Sequence, residues 1–306
     1  MQYLQVLRIV GLLPLVLVPL HAAEQDALAI DANIQARHLP YGTILNPILS
    51  ADGASVTGYT RCGDSAIWTG HYLAAEAFRY KVTHSPAAAA NVRAALDGLK
   101  LLVDVTGGNI LARCAIPEDS PYAASISGEE ASNGIFHAAV RGRAWFWVGN
   151  TSRDQYAGVF FGLGAAWDLV PDRDVRVEIA SLAIRLLDSL LYSAWTVVMP
   201  DGSISTTFLL RPDQQLTLLQ VGRHVDPRRY SWAYARLSST ASATVTVPLG
   251  IDAADDHDSY FKFNLDFINL YNLIRLEGDT PAKRGEIVAM QGDRVYHSFC
   301  AEAQFF

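Results

Sequence analysis

Two kinds of helical segment alternate along this chain, and that alternation limits what it can fold into. From about Asp64 to Thr83, Ile67, His71, Ala74, Ala75, Phe78 and Val82 recur at helical spacing, while Trp68, Tyr72 and Leu73 make the other sides apolar as well. A helix that is apolar nearly all round must be buried. The next segment is different. Ser85 and Pro86 form a helix start, Gly107 and Gly108 a stop, and Val92, Ala95, Leu96, Leu99, Leu102 and Val103 make a single stripe between them. Arg93, Asp97, Lys100 and Asp104 occupy the opposite face, so this helix covers a core on one side only. The contrast then recurs. Ser152 to Val170 has almost no polar face, and Asp172 to about Trp195 carries an apolar set of Val177, Ala180, Leu186, Leu187, Leu190 and Leu191 against Arg173, Arg176, Arg185 and Asp188.

Further along, Asp213 to Gly222, Pro227 to Leu237 and Asp256 to Glu277 read as helices, and Thr280-Pro281 opens a last one toward His297. Ser238 to Gly250 reads as an extended loop or short strand, and Ala115 to Val148 as a long connection without helical period. Inner helices need cover on all sides and outer helices on one. The alternation therefore predicts an all-α fold, an α/α toroid of helical hairpins in a single domain over residues 24–306. Seven or eight long helices are readable, fewer than the twelve of a closed six-hairpin ring, so an incomplete ring is expected.

The first 23 residues read as a signal peptide. Arg8 precedes the apolar run Ile9 to Leu20, and His21-Ala22-Ala23 offers small residues for cleavage. The run is short for a bilayer span, which leaves a retained anchor as the lesser alternative. A secreted or periplasmic protein follows, with no membrane contact beyond export. Half of the residues are apolar, against disorder, and a net charge of −7 without a Lys/Arg run argues against nucleic acid as a partner. In an oxidising compartment Cys62, ahead of the first long helix, and Cys114, after the second, are placed to form a disulfide. Two separate buried thiols are the alternative, and Cys300 is left over.

Helices of equal parity in such a ring run the same way, so their polar first turns collect at one mouth. Asp64, Trp68 and His71 open the first, Arg153, Asp154, Gln155 and Tyr156 the second, and Asp255 to Asp258 with Tyr260 and Asn264 a later one. Ordinary structural duties compete with each reading. Asp64 could cap its helix, Ser152 with Gln155 has capping-box spacing, and His71 could be a hydrogen-bonded core residue. No zinc-protease, lipase, dinucleotide or P-loop motif is present, the acidic cluster lacks EF-hand spacing, and no cofactor or metal is expected.

The segments Gly63-Asp64-Ser65-Ala66-Ile67-Trp68-Thr69-Gly70-His71-Tyr72 and Ser152-Arg153-Asp154-Gln155-Tyr156, each opening a buried helix, resemble the six-hairpin glycosidase superfamily across roughly residues 60 to 280. The resemblance implies an (α/α) toroid that acts on oligo- or polysaccharides through carboxylates at its mouth. The expectation is a glycoside hydrolase with Asp64 and Asp154 as acid and base, and with Trp68, His71, Arg153, Gln155, Tyr156, Tyr260 and Asn264 binding substrate. A polysaccharide lyase and an exported carbohydrate-binding protein without catalysis are the alternatives.

Overall fold

In the computed structural model, the described residues are 24–240, 244, 247, 248, 250–252 and 260–277, less the side chains of 260–264, 274 and 277. The expected signal peptide, the helix from Thr280, the Asp255–Asp258 cluster and Cys300 lie outside them.

Helices α1 (Glu24–Asn33), α2 (Ser65–Thr83), α3 (Pro86–Asp104), α4 (Ala123–Glu129), α5 (Arg153–Leu169), α6 (Arg173–Tyr192), α7 (Pro212–Val225), α8 (Pro227–Ser238) and α9 (Tyr260–Glu277) dominate the fold. The alternation is real: α2 and α5 are buried along most of their length, and α3 and α6 bury one stripe. In α6 that stripe is Val175, Ile179, Leu182, Leu186 and Leu190, and the expected member Val177 faces solvent. Asp172 caps α6 by accepting from the backbone N–H groups of Asp174 and Val175.

The all-α expectation, and with it the ring built of helical hairpins alone, is overturned by seven strands in three antiparallel sheets. β1 (Asn46–Leu49) pairs with β2 (Val56–Thr60), and β6 (Thr196–Val198) with β7 (Ile204–Thr207). β3 (Cys114–Pro117), β4 (Ile135–Val140) and β5 (Arg143–Val148) form a three-stranded sheet with β5 in the centre. The fold is mixed α/β. Most of the stretch expected to be a structureless connection is this sheet with α4 folded over it. Arg141 and Gly142, both at positive φ, make the two-residue turn between β4 and β5. Phe146 and Val148 join Cys62, Cys114, Ile116 and Ile126 in a small second core, while Trp147 points into the main one and stacks on Phe136. The expected strand or loop after Ser238 is also corrected, since Thr244, Val247, Pro248 and Gly250 are helical.

Four helices run side by side in one direction. Ile67 of α2 lies beside Gln155 and Gly158 of α5, and Gly70 beside Gly158 and Gly162. Phe160 and Gly164 of α5 meet Asn272 and Arg275 of α9 in the same sense. Along α7 and α9, Arg211, Thr217 and Gln220 meet Asp266, Asn269 and Leu273. The first turns of α2, α5 and α7 consequently lie at one end of the molecule. Gly70 is there because nothing larger fits: a Cβ on it would sit 2.2 Å from the carbonyl oxygen of Gly158. Among the described residues, no helix is long and apolar enough to cross a membrane.

Candidate functional site

The loop ahead of α2 is fixed by covalent and polar bonds together. Cys62 and Cys114 are joined in a disulfide, Cα to Cα 5.8 Å, as one of the two sequence readings expected. Next to Cys114, Arg113 donates from Nε to the carbonyl of Gly63 at 2.6 Å. Its Nη1 donates to the carbonyl of Asn150 at 2.9 Å and to Ser152 Oγ at 3.3 Å. Nη2 reaches Asp64 Oδ1 at 3.4 Å. One guanidinium thus ties the start of α2 to the start of α5.

Asp64 occupies the N-cap position but makes no capping bond with its side chain. The orphan N–H groups of α2's first turn are satisfied from elsewhere: Ala66 donates to the Arg113 carbonyl and Ile67 to Gln155 Oε1, each at 2.9 Å. Gln155 Nε2 then donates to Asp64 Oδ1 at 3.2 Å. The carboxylate of Asp64, 39% exposed, is therefore held by two donors without serving as a cap. Ser152 and Gln155, although spaced for a capping box, do not form one, because Gln155 caps α2 instead of its own helix.

Asp154 stands in the first turn of α5, and its Oδ1 is shielded from solvent and, among the described residues, has no hydrogen-bond partner. Arg153 donates to the carbonyl of Thr207 at 3.3 Å. Burial lowers the pKa of this guanidinium, and the positive charge of Arg211 adds to the effect, while Asp213, Asp252 and Asp154 oppose it. Trp68 and His71 sit together on α2 with ring centroids 5.3 Å apart, and His71 lies 5.5 Å from Phe161. Burial pushes the His71 imidazole below its usual range, against the Nδ1 bond to the Ile67 carbonyl; Nε2 is shielded and unpartnered. His71 is a neutral side chain among aromatic rings.

Two expected ligand contacts do not survive the geometry. Tyr156 is fully buried, edge-on to Phe208, with its hydroxyl accepting from the backbone of Leu111. Gln155 is fully buried too, and both ends of its amide are engaged. Each shares a helical turn with Asp154 but faces the α2 and core side. Tyr260 lies in the first turn of α9 and Asn264 in its second; their side chains are outside the described residues. Asp64, Trp68, His71, Arg153 and Asp154 are thus brought to neighbouring helix starts, and Gln155 and Tyr156 serve as the packing between them.

Sequence reasoning missed three constellations. At the start of α7, Arg211 meets Asp213 and Asp266 at 2.6 and 2.9 Å and Asp252 at 2.8 Å, all four buried. The Arg-Pro-Asp run 211–213 gave a helix start, but only folding reveals that carboxylates from two later segments converge on it. On α1 and α2, Asp31 accepts from the Tyr72 hydroxyl and pairs with Arg79, which also pairs with Glu76, beside a cavity of about 330 Å³. Burial first, and then the charge of Asp31, raises the Glu76 pKa. Between α4 and the three-stranded sheet, an open groove of about 530 Å³ holds His137, whose Nδ1 lies 2.7 Å from Glu118. Among the described residues, no three His, Cys, Asp or Glu side chains are arranged to hold a metal ion.

Comparison with protein-family models, with curated proteins and with solved structures finds no match to this chain.

Proposed function

We propose that the chain is an exported hydrolase of glycosidic bonds, with Asp64 and Asp154 as its carboxylate pair and an oligo- or polysaccharide as substrate. The observation that carries this reading is the unlike setting of two carboxylates at adjacent parallel helix starts. Asp64 is half-exposed and accepts from Arg113 and Gln155. Asp154 has one oxygen shielded from solvent and, among the described residues, without a donor. General acid–base cleavage needs two carboxyl groups near one bond, and these two stand at adjacent helix starts. Trp68, half-buried on the same helix as Asp64 and packed against His71, would supply the aromatic surface for a sugar ring. The buried disulfide fits an oxidising compartment and so supports export.

A lyase would need a free cation to neutralise a uronate. Arg153 is a poor one, because three aspartates already surround it. Release of reducing ends from a panel of plant, fungal and bacterial polysaccharides tests the proposal directly. Asp154→Asn and Asp64→Asn are each expected to lower turnover by about 10²–10⁴-fold while glycan affinity is retained. Wild-type rates in both variants, or glycan binding with no bond cleavage by the unaltered protein, would overturn it. A product absorbing in the ultraviolet through a new C=C bond would transfer the site to a lyase.

A further inference from the structure

Helix α8 has two faces of opposite character. Tyr230 and Tyr234 are sunk in the main core, and Ala233 and Leu237 pack against it. On the other side Arg228, Trp232 and Arg236 stand one turn apart, in the i, i+4 register that aligns side chains along a helix. All three are exposed, Trp232 to 72%. The guanidinium of Arg236 lies over the indole, 5.6 Å from the ring centroid and within cation–π range. It can cover only one face of the ring.

The charge of this stripe is not neutralised from within. Arg229, beside it, pairs with Asp188, which also accepts from the Tyr230 hydroxyl. Among the described residues, neither Arg228 nor Arg236 has a carboxylate partner. A single exposed apolar side chain is ordinary on a protein surface. An indole set between two uncompensated guanidinium groups, on a chain of net charge −7, is a different matter. The stripe also lies apart from the helix starts that hold Asp64 and Asp154. α7 runs away from that end for 14 residues, about 21 Å, and α8 begins where it stops.

We infer that this stripe of α8 is a docking surface for a polyuronate, an anionic polysaccharide with a carboxylate on each ring. The order of groups is complementary: guanidinium, flat aromatic face and guanidinium meet carboxylate, pyranose ring and carboxylate. An arginine fork matches a carboxylate with two parallel N–H donors, and an indole offers an apolar surface to the C–H face of a sugar. Arg228 and Arg236 are eight residues apart, about 12 Å along the axis, so the surface suits a polymer better than a single sugar. An anionic membrane fits less well. The apolar face of α8 is already buried, and Trp232 alone is left to enter lipid. A polynucleotide would meet two unpaired cations on an acidic chain, too few for its dense phosphate charge. The surface does not depend on the carboxylate pair, and would hold a polymer whether or not the mouth cleaves it.

The test is native electrophoresis of the full chain through gels containing polygalacturonate, with dextran gels as the neutral reference. The unaltered protein is expected to be retarded by polygalacturonate alone, and less so as salt is raised. Trp232→Ala and Arg228→Gln are each expected to weaken the apparent affinity by on the order of tenfold, with melting temperatures unchanged. Arg173→Gln removes an exposed positive charge from the start of α6 and is expected to bind as the unaltered protein does. Free passage of the unaltered protein overturns the proposal. An equal loss in Arg173→Gln also overturns it, because net charge alone would then govern binding, and so does full affinity in Trp232→Ala. Capture by phosphatidylglycerol vesicles or by poly(U) that is tighter than by polygalacturonate, and lost in the same variants, would assign the surface to lipid or nucleic acid instead.

Discussion

The α2–α5 and α7–α9 contacts both join parallel helices, but by opposite means. α2 and α5 meet through absent side chains: Gly70, Gly158 and Gly162 let the backbones touch, and Ile67 lies across Gly158. α7 and α9 meet through Asp213, Thr217 and Gln220 on one side and Asp266 and Asn269 on the other, all buried. The first contact depends on shape, and its one described ionisable neighbour is the His71 imidazole packed against Phe161. The second depends on charge balance and contains four. Steric fit is indifferent to pH, whereas a buried cluster of carboxylates around a guanidinium is not.

Removing the cation should have the largest effect on this contrast. Arg211→Met leaves Asp213, Asp252 and Asp266 buried without it, and is expected to cost about 3–5 kcal/mol at pH 7, read from urea denaturation. Part of that loss should return at pH 5. Gly70→Ala forces two backbones apart and is expected to cost about 3 kcal/mol, with no return of stability on acidification. A thermal melt at both pH values separates the two variants, and a similar recovery in each would mean that the two contacts respond to pH alike. Gln155→Leu strips the Ile67 N–H of its acceptor inside the glycine contact. About 1–3 kcal/mol is expected, with faster exchange at the Ile67 amide as its signature. The smallest change is Thr217→Val, which removes one hydroxyl from the polar contact for about 1 kcal/mol in chemical denaturation.

Helices were legible wherever periodicity and end signals coincided. Ser85-Pro86 marked the start of α3 and Asp172 the start of α6, because a cap and its first turn are local chemistry. The glycines of α5 announced close neighbours, and they have them. The strands were lost for the reverse reason. β3, β6 and β7 have three or four residues each, too few for a period-two pattern, and β5 buries Trp145, Phe146, Trp147 and Val148 in succession, so it does not alternate. Asp52-Gly53, Arg141-Gly142 and Asp201-Gly202 were the turn signals available for all three hairpins. At the candidate site, residue types suggested Asp64 and Asp154, but sequence spacing could not say that Gln155 would turn inward to cap another helix. Nor could it bring Asp252 and Asp266 to Arg211, since that meeting joins positions up to 55 residues apart.

Because the first turn of α2 borrows its acceptors from the Arg113 carbonyl and the Gln155 amide, its last acceptor is made 88 residues after the N–H it receives. A nascent chain that has not yet emerged past α5 must leave this turn frayed, with the Asp64 carboxylate short of a donor. Assembly of the proposed site therefore waits on the growing polypeptide, and fragments that end before residue 155 should contain a helix α2 with an unfinished beginning.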